Sequence, residues 1–369
     1  MIPLLDFEKY SKFLAHAIIN SKPRFVVGIF GDWGTGKTTL LMMIKEILER
    51  NKKILTVWFH AWRYEKEQYL AVIPLLRTIE LALEHHIKRS DTKWEIIRNA
   101  VIRTATAFSQ STKANIGVPG IASAEINFKE LTNSLKGDGS IGNDIDVIYY
   151  HATDFLNNAL SQLRKNDSDY RIVIFIDDLD RCLPEKSLEV IESIKSFFDL
   201  EGIVYLLGMN SNSITSIIRQ KYGNDPTITG FDFLKKIVQL PFLIPEWNEG
   251  DMSKFIDEVI INQLQESEDL VNAFKDNKEM IIGAAEKNPR EMKRFTNNII
   301  LAKSIFNKPV SNLIAVQALR FRPEWNKFLI FITDNESRKN FSAFKAIDMD
   351  DEKSKTQFLK KYPAIANKI

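Results

Sequence analysis

Residues 31–38 read Gly-Asp-Trp-Gly-Thr-Gly-Lys-Thr, a full match to G-x-x-x-x-G-K-[ST], set between an apolar run of strand length (Phe25–Phe30) and a helix-forming stretch (37–50). That placement leaves few folds open. Such a loop holds phosphate when a strand delivers it and a helix receives it, because the N–H groups of the loop and of the first helical turn together form the anion nest. Gly31, Gly34 and Gly36 allow backbone angles and a phosphate approach that side chains would block. Lys37 brings positive charge to the β- and γ-phosphates, and Thr38 offers a hydroxyl to Mg²⁺. Asp32, Trp33, Thr35 and Thr39 fill the rest of the stretch expected to touch nucleotide; Trp33 either shapes the loop, covers the nucleotide or simply packs. The four specified positions match by chance in roughly 1% of chains this long. Correct flanks make coincidence rarer still.

The surrounding pattern agrees. Residues 6–20 read as an amphipathic helix with Asp6 as its N-cap. Apolar runs at Ile54–Phe59, Ile172–Ile176 and Ile203–Gly208, and a shorter one around Ile237–Phe242, alternate with helical stretches at 144–165 and 184–199. Strands alternating with helices predict an α/β fold with a parallel sheet flanked by helices. Between about 64 and 148 the alternation breaks. Residues 65–89 read as helix with Pro74 kinking or restarting it, 94–108 as helix, 114–128 as a hairpin around Pro119-Gly120, and 137–143 as a flexible connection. After Pro245 the pattern is helical only. The expected organisation is therefore a core over 1–245 carrying that insertion, an all-α domain over 246–345 and a polar tail over 346–369.

Composition excludes more than it assigns. The 369 residues, 44% hydrophobic and 27% charged, suit a globular chain of two or three units. A single cysteine, Cys182, rules out an internal disulfide and reads as a small buried hydrophobe. No run approaches the ~18 apolar residues of a spanning helix, and the N-terminus lacks a basic secretory n-region. A cytoplasmic location is expected. The net charge of +2, from 50 basic and 48 acidic side chains, gives no bulk footprint for nucleic acid, although local patches are compatible with it. It also hides a cancellation: residues 246–286 carry 3 basic and 11 acidic groups, and 287–345 carry 12 basic and 4 acidic.

The second chemical feature is Arg-Ile-Val-Ile-Phe-Ile-Asp-Asp-Leu-Asp-Arg-Cys at 171–182, an apolar strand ending in carboxylates. Asp177 is placed to hold Mg²⁺ and Asp178 to orient or deprotonate the attacking water. Asp180 either supports the site or caps the helix near Pro184, and Arg181 either pairs with this cluster or reaches a neighbour. Asn210 ends the next strand, where it either faces the γ-phosphate or caps a helix through Asn210-Ser211-Asn212-Ser213. His85-His86 are adjacent and share no helix face.

Five segments in order resemble the KAP-family P-loop NTPases, relatives of STAND and AAA+ ATPases: GIFGDWGTGKTTL, WFHAWRYE (58–65), IDDLDRC (176–182), FLKKIVQLPF (233–242) and NPREMKRFTNN (288–298). The resemblance implies a P-loop NTPase core with a helical lid. It carries over Lys37, Thr38, Asp177 and Asp178 as the nucleotide and metal groups, and Arg290 as a lid arginine sensing the γ-phosphate. It suggests Lys235 or Lys236 as a finger acting on a neighbour, and it casts Trp62 as a core anchor. Two positions depart from the family pattern. The insertion is too polar to span a membrane, and Asn210 stands where an Asp is expected.

The expected function is thus a Mg²⁺-dependent, ATP-binding and ATP-hydrolysing switch, ATP being favoured over GTP because no N-K-x-D guanine-reading motif follows the core. By resemblance it belongs to phage defence or membrane-linked signalling, with homo-oligomerisation, an effector or partner protein and peripheral membrane contact as its associations. The alternative is a nucleotide-gated assembly scaffold in which hydrolysis is slow or incidental.

Overall fold

Strands built almost wholly of Val, Ile, Leu and Phe have no solvent face to offer, so they belong in a parallel sheet covered on both sides. In the computed structural model, which describes residues 6–64, 71–89, 92–111, 145–165, 167–197, 200–222, 230–264, 267–306 and 308–321, five parallel strands form such a sheet. They are β1 Arg24–Phe30, β2 Ile54–His60, β3 Arg171–Asp177, β4 Ile203–Met209 and β5 Leu240–Leu243, in the spatial order β2-β3-β4-β1-β5. Every residue of β3 and β4 is buried, as their central places require. β5 alternates half-buried and exposed residues at the edge, where Pro241 is tolerated.

The helices of this body are α1 Phe7–Asn20, α2 Lys37–Leu48, α3 Val72–Arg89, α4 Glu95–Ser111, α5 Ile145–Arg164, α6 Pro184–Phe197, α7 Ser211–Tyr222 and α8 Gly230–Ile237. Pro184 opens α6 at the position where a missing N–H costs nothing, and Pro74 sits in the first turn of α3, so it starts that helix rather than kinking it. α1 is tied down from below: Arg171, buried at the start of β3, donates to the carbonyls of Ile18 and Ser21 and to that of Asp169. Two expectations need correction. Asp6 precedes α1 with a φ of 53°, outside the extended region an N-cap normally adopts. The last strand begins at Leu240 rather than at Ile237, which is the last residue of the helix Gly230–Ile237. The predicted hairpin 114–128, the connection 137–143 and the tail 346–369 lie outside the described residues, as does the stretch 322–345.

The chain divides into two compact bodies, one of residues 8–32 and 37–244, the other of residues from Pro245 onward together with Met1–Phe7 and Trp33–Gly36. The second body is helical: α9 Glu249–Phe255, running on through a π-helical turn at Ile256–Ile260, then α10 Glu268–Asp276, α11 Lys278–Ala284, α12 Pro289–Ile305 and α13 Val310–Phe321. Its own core gathers Met252, Phe274, Ile281, Phe295, Ile299 and Ile314. A capping box starts α9, Asn248 and Asp251 each serving the other's backbone N–H. Two ion pairs join its oppositely charged sequence halves, Lys303 with Asp269 at 2.8 Å and Lys287 with Glu249 at 3.9 Å.

Candidate functional site

Because the strands are parallel and paired in close register, their C-terminal ends line up. His60 is paired with Asp177, Ile176 with Leu207, and Met209 with Phe30. The polar residues that follow or end these strands therefore collect along one edge, at the point where the chain order reverses between β1 and β4. Ligands of open α/β sheets bind at such a reversal.

Lys37 opens α2, 8% exposed, and its ammonium donates to the carbonyls of Gly31 (2.8 Å) and Asp32 (3.0 Å). Thr38, one residue on, donates its hydroxyl to Oδ2 of Asp177 at 2.6 Å, joining α2 to the end of β3. Burial pushes the Asp177 carboxyl above the usual range, against the opposing pull of the Thr38 hydrogen bond and the nearby Lys37 charge. Gly208 on β4 makes this carboxylate fit: a Cβ there would stand 2.9 Å from Asp177 Oδ1 and 2.8 Å from Leu41 Cδ1. Thr39 is half-buried on α2.

Asp178 has a left-handed backbone (φ 60°) and its carboxylate pairs with Arg181 Nε at 2.7 Å, so the arginine is engaged by the acidic cluster of its own chain. Asp180 lies inside the 3₁₀ turn Leu179–Arg181, ahead of α6. Cys182 is buried, as expected of a small apolar side chain. Asn210 is a helix cap, its Oδ1 accepting from Ser213 N at 3.0 Å at the start of α7, and its amide also donates to Asp32 Oδ1 at 2.8 Å. His60, at the end of β2, has no assigned role in the sequence. Its Nδ1 is buried without a hydrogen-bond partner among the described residues. Desolvation and the Arg63 charge lower its pKa despite Asp177 and Asp178, which favours the neutral ring.

The tip of the loop, Trp33–Gly36, is held by residues of the helical body. Asn288 Nδ2 donates to Trp33 O at 2.6 Å while its Oδ1 accepts from Arg290 N and Glu291 N, capping α12. Trp247 Nε1 donates to Thr35 O at 3.0 Å. Gly34 and Gly36 have φ of 86° and 108°, and close approach forbids a side chain at either: a Cβ on Gly34 would collide with Asn288 and Arg290, one on Gly36 with the Phe7 ring. Gly31 needs no left-handed backbone. Arg290 is exposed, its Cβ beside Gly34. Trp33 is exposed too.

One sequence reading changes. Trp62 is 45% exposed, with the Arg63 guanidinium 5.9 Å from its ring centroid, and is no core anchor. Lys235 and Lys236 lie in the last turn of α8, Lys235 being 3.5 Å from Asp232. Gly208, His60, Trp247 and Asn288 were not singled out by sequence. Gly208 had a signal, a glycine inside an apolar strand.

The donor set suits magnesium, which with phosphate ligands takes one or two protein oxygens and keeps several waters. Thr38 and Asp177 supply that pair. Among the described residues there is no cluster of three or more His, Cys, Asp or Glu placed for a metal, and no helix is long and apolar enough to cross a membrane.

Among known proteins, the phage T7 exclusion protein of Escherichia coli K12 is 24% identical over 292 residues, covering 74% of this chain and 38% of that protein. An uncharacterized protein of Methanocaldococcus jannaschii is 26% identical over 175 residues, 42% of this chain and 89% of its own length. The rat kinase D-interacting substrate of 220 kDa is 26% identical over 89 residues, 23% of this chain and 5% of its own. The chain thus spans less than two fifths of the phage exclusion protein. Among solved structures, Drosophila ORC bound to DNA matches with 15% identity and a TM-score of 0.43, over 98% of this chain and 80% of that one. Cdc6p from Pyrobaculum aerophilum matches with 11% identity and a TM-score of 0.42, over 89% and 72%. The profile of the KAP family P-loop domain matches residues 7–306. That span runs from α1 to the end of α12, well over half of the chain, and the protein belongs to the KAP family of P-loop NTPases.

Proposed function

We propose that the chain is a Mg²⁺-dependent ATPase that works as a molecular switch. The observation that carries this reading is the 2.6 Å hydrogen bond between Thr38 and Asp177, beside a Lys37 ammonium directed at the loop carbonyls. A hydroxyl and a carboxylate from different elements then meet next to a positive charge, the arrangement Mg²⁺ and a triphosphate need. Lys37 and the N–H groups of 31–39 hold the phosphates, and Thr38 and Asp177 hold the metal, which when bound neutralises the β- and γ-oxygens. Asp178 accepts the proton of the attacking water as the γ-phosphoryl leaves ADP. Asn210 fixes Asp32 at the root of the loop, and Arg290, next to Gly34 at its tip, contacts the γ-phosphate.

A second reading, a nucleotide-gated assembly scaffold, is favoured by one observation: Asp178 is paired with Arg181, which would slow its work as a base. Phage defence is proposed by analogy with the phage T7 exclusion protein alone, and a cytoplasmic location, self-association and a partner or effector protein are proposed from the family resemblance. The deciding experiment measures phosphate release and molar mass together, with and without Mg·ATP, for the wild type, Lys37→Ala and Asp178→Ala. A switch loses turnover in both variants, and Asp178→Ala stalls loaded with ATP. A scaffold assembles with ATP in Asp178→Ala as the wild type does. Phosphate release by Lys37→Ala at the wild-type rate would refute both.

A further inference from the structure

His60 is the one polar side chain at the strand ends whose buried atom lacks a partner among the described residues. The register says where its ring lies. Partners in a parallel ladder project to the same face of the sheet, and Trp58 and Phe175, a ladder pair, do stack, with centroids 5.5 Å apart and planes at 8°. The next pair on that face is His60 with Asp177. It is the face toward α2: Thr56, two positions below Trp58, donates to Glu49 just beyond the end of α2, and Asp177 accepts from Thr38 near its start. The Asp177 carboxylate is therefore flanked on that face by Gly208 from β4, which contributes no side chain, and by the His60 imidazole from β2.

We propose that His60 is a positioning residue of the magnesium site, its Nδ1 accepting a hydrogen bond from a metal-bound water that also donates to Asp177. The inference rests on the reading of Thr38 and Asp177 as the metal groups, and extends it to the outer sphere of the ion. A water on Mg²⁺ is a strong donor and a poor acceptor, so its partners must accept. A neutral imidazole with its proton on Nε2 does so without adding negative charge beside Asp177. The arrangement also gives a use to a buried nitrogen that otherwise costs stability.

The test is a titration of fluorescent ATP-analogue affinity against Mg²⁺, with matched measurements in EDTA. Phe keeps the ring and removes the acceptor. Asn places an acceptor where Nδ1 stands, and Gln places one where Nε2 stands. Loss of an outer-sphere partner weakens metal binding about ten-fold or more, so His60→Phe and His60→Gln should raise the half-saturating Mg²⁺ concentration by about that factor. His60→Asn should stay within about three-fold of the wild type, and affinity in EDTA should be unchanged in all three. A wild-type titration by His60→Phe overturns the proposal. So does equal impairment of the Asn and Phe variants, or a parallel loss in EDTA, either of which would mark a packing role. Thr38→Ala separates the two levels of the reading: if it too titrates as the wild type, the metal assignment itself falls; if it alone is impaired, only the role of His60 does.

Discussion

Replacing Thr38 by Val keeps the shape of the side chain and deletes one hydroxyl, which holds the buried carboxylate of Asp177 at 2.6 Å. Hydrogen bonds to charged groups contribute about 1.5–3 kcal/mol, and a buried acceptor left without its donor forfeits that amount. Thr38→Val should therefore lower the unfolding free energy by about 2 kcal/mol near pH 8, read by urea denaturation without nucleotide. The loss depends on pH in a definite sense. The hydroxyl pulls the Asp177 pKa down against the larger upward push of burial, so it stabilises the ionised form. Where Asp177 is ionised in the folded state the valine variant bears the full penalty; as pH falls through the raised folded pKa the carboxyl protonates and the penalty shrinks. Thr38→Ser, which restores the hydroxyl, should behave as the wild type. A loss that is the same at all pH values, or shared by the serine variant, would refute the electrostatic account and leave only packing.

Asp177→Asn reverses the sign. Because burial raises the Asp177 pKa, folding binds protons as pH rises between the unfolded and folded values, and the ionised residue costs stability above that window. The amide variant should be more stable than the wild type at pH 8 by on the order of 1 kcal/mol, while losing the Mg²⁺ dependence of nucleotide binding. Gly208→Ala should displace Asp177 and Leu41, since its Cβ would lie within 2.9 Å of both. Overpacking of this kind costs about 1–3 kcal/mol, and a higher melting temperature than the wild type would contradict the geometry. Arg171→Leu should release α1, whose last-turn carbonyls it caps, and limited proteolysis should then cut between α1 and β1 faster than in the wild type. Unchanged cleavage would show that packing alone holds the helix.

What was legible in the sequence was whatever local spacing encodes. The loop 31–38 lies between its strand and helix, and Asp177 ends an apolar run, because both depend on neighbours a few residues away. Residues brought in by strand register were not legible. His60 and Asp177 are ladder partners only because β2 and β3 are adjacent, and nothing in Trp-Phe-His-Ala-Trp states that adjacency. Trp247 and Asn288 reach loop carbonyls, which carry no sequence signature at all. Trp62 misled because aromatic size predicts burial on average, whereas here the chain turns out of the sheet one residue earlier. At Asn210 the run Asn-Ser-Asn-Ser made the cap legible, whereas the bond from its amide to Asp32, 178 residues earlier, was not.

The strand order has a consequence for how the protein is made. β1, which carries the phosphate loop, is synthesised before both of its ladder partners, β4 and β5. Ile203, the first residue of β4, follows Phe30 by 173 positions, and Pro241 must still arrive to pair with Gly28. Nascent chains that end before Leu240 therefore hold the loop on a strand with one or both edges open. Long-range parallel pairing is intrinsically slow and exposes such edges to other chains. During translation the part of the chain most recognisable in sequence is among the last to take shape, and nascent chains stalled before β5 should not retain a fluorescent nucleotide.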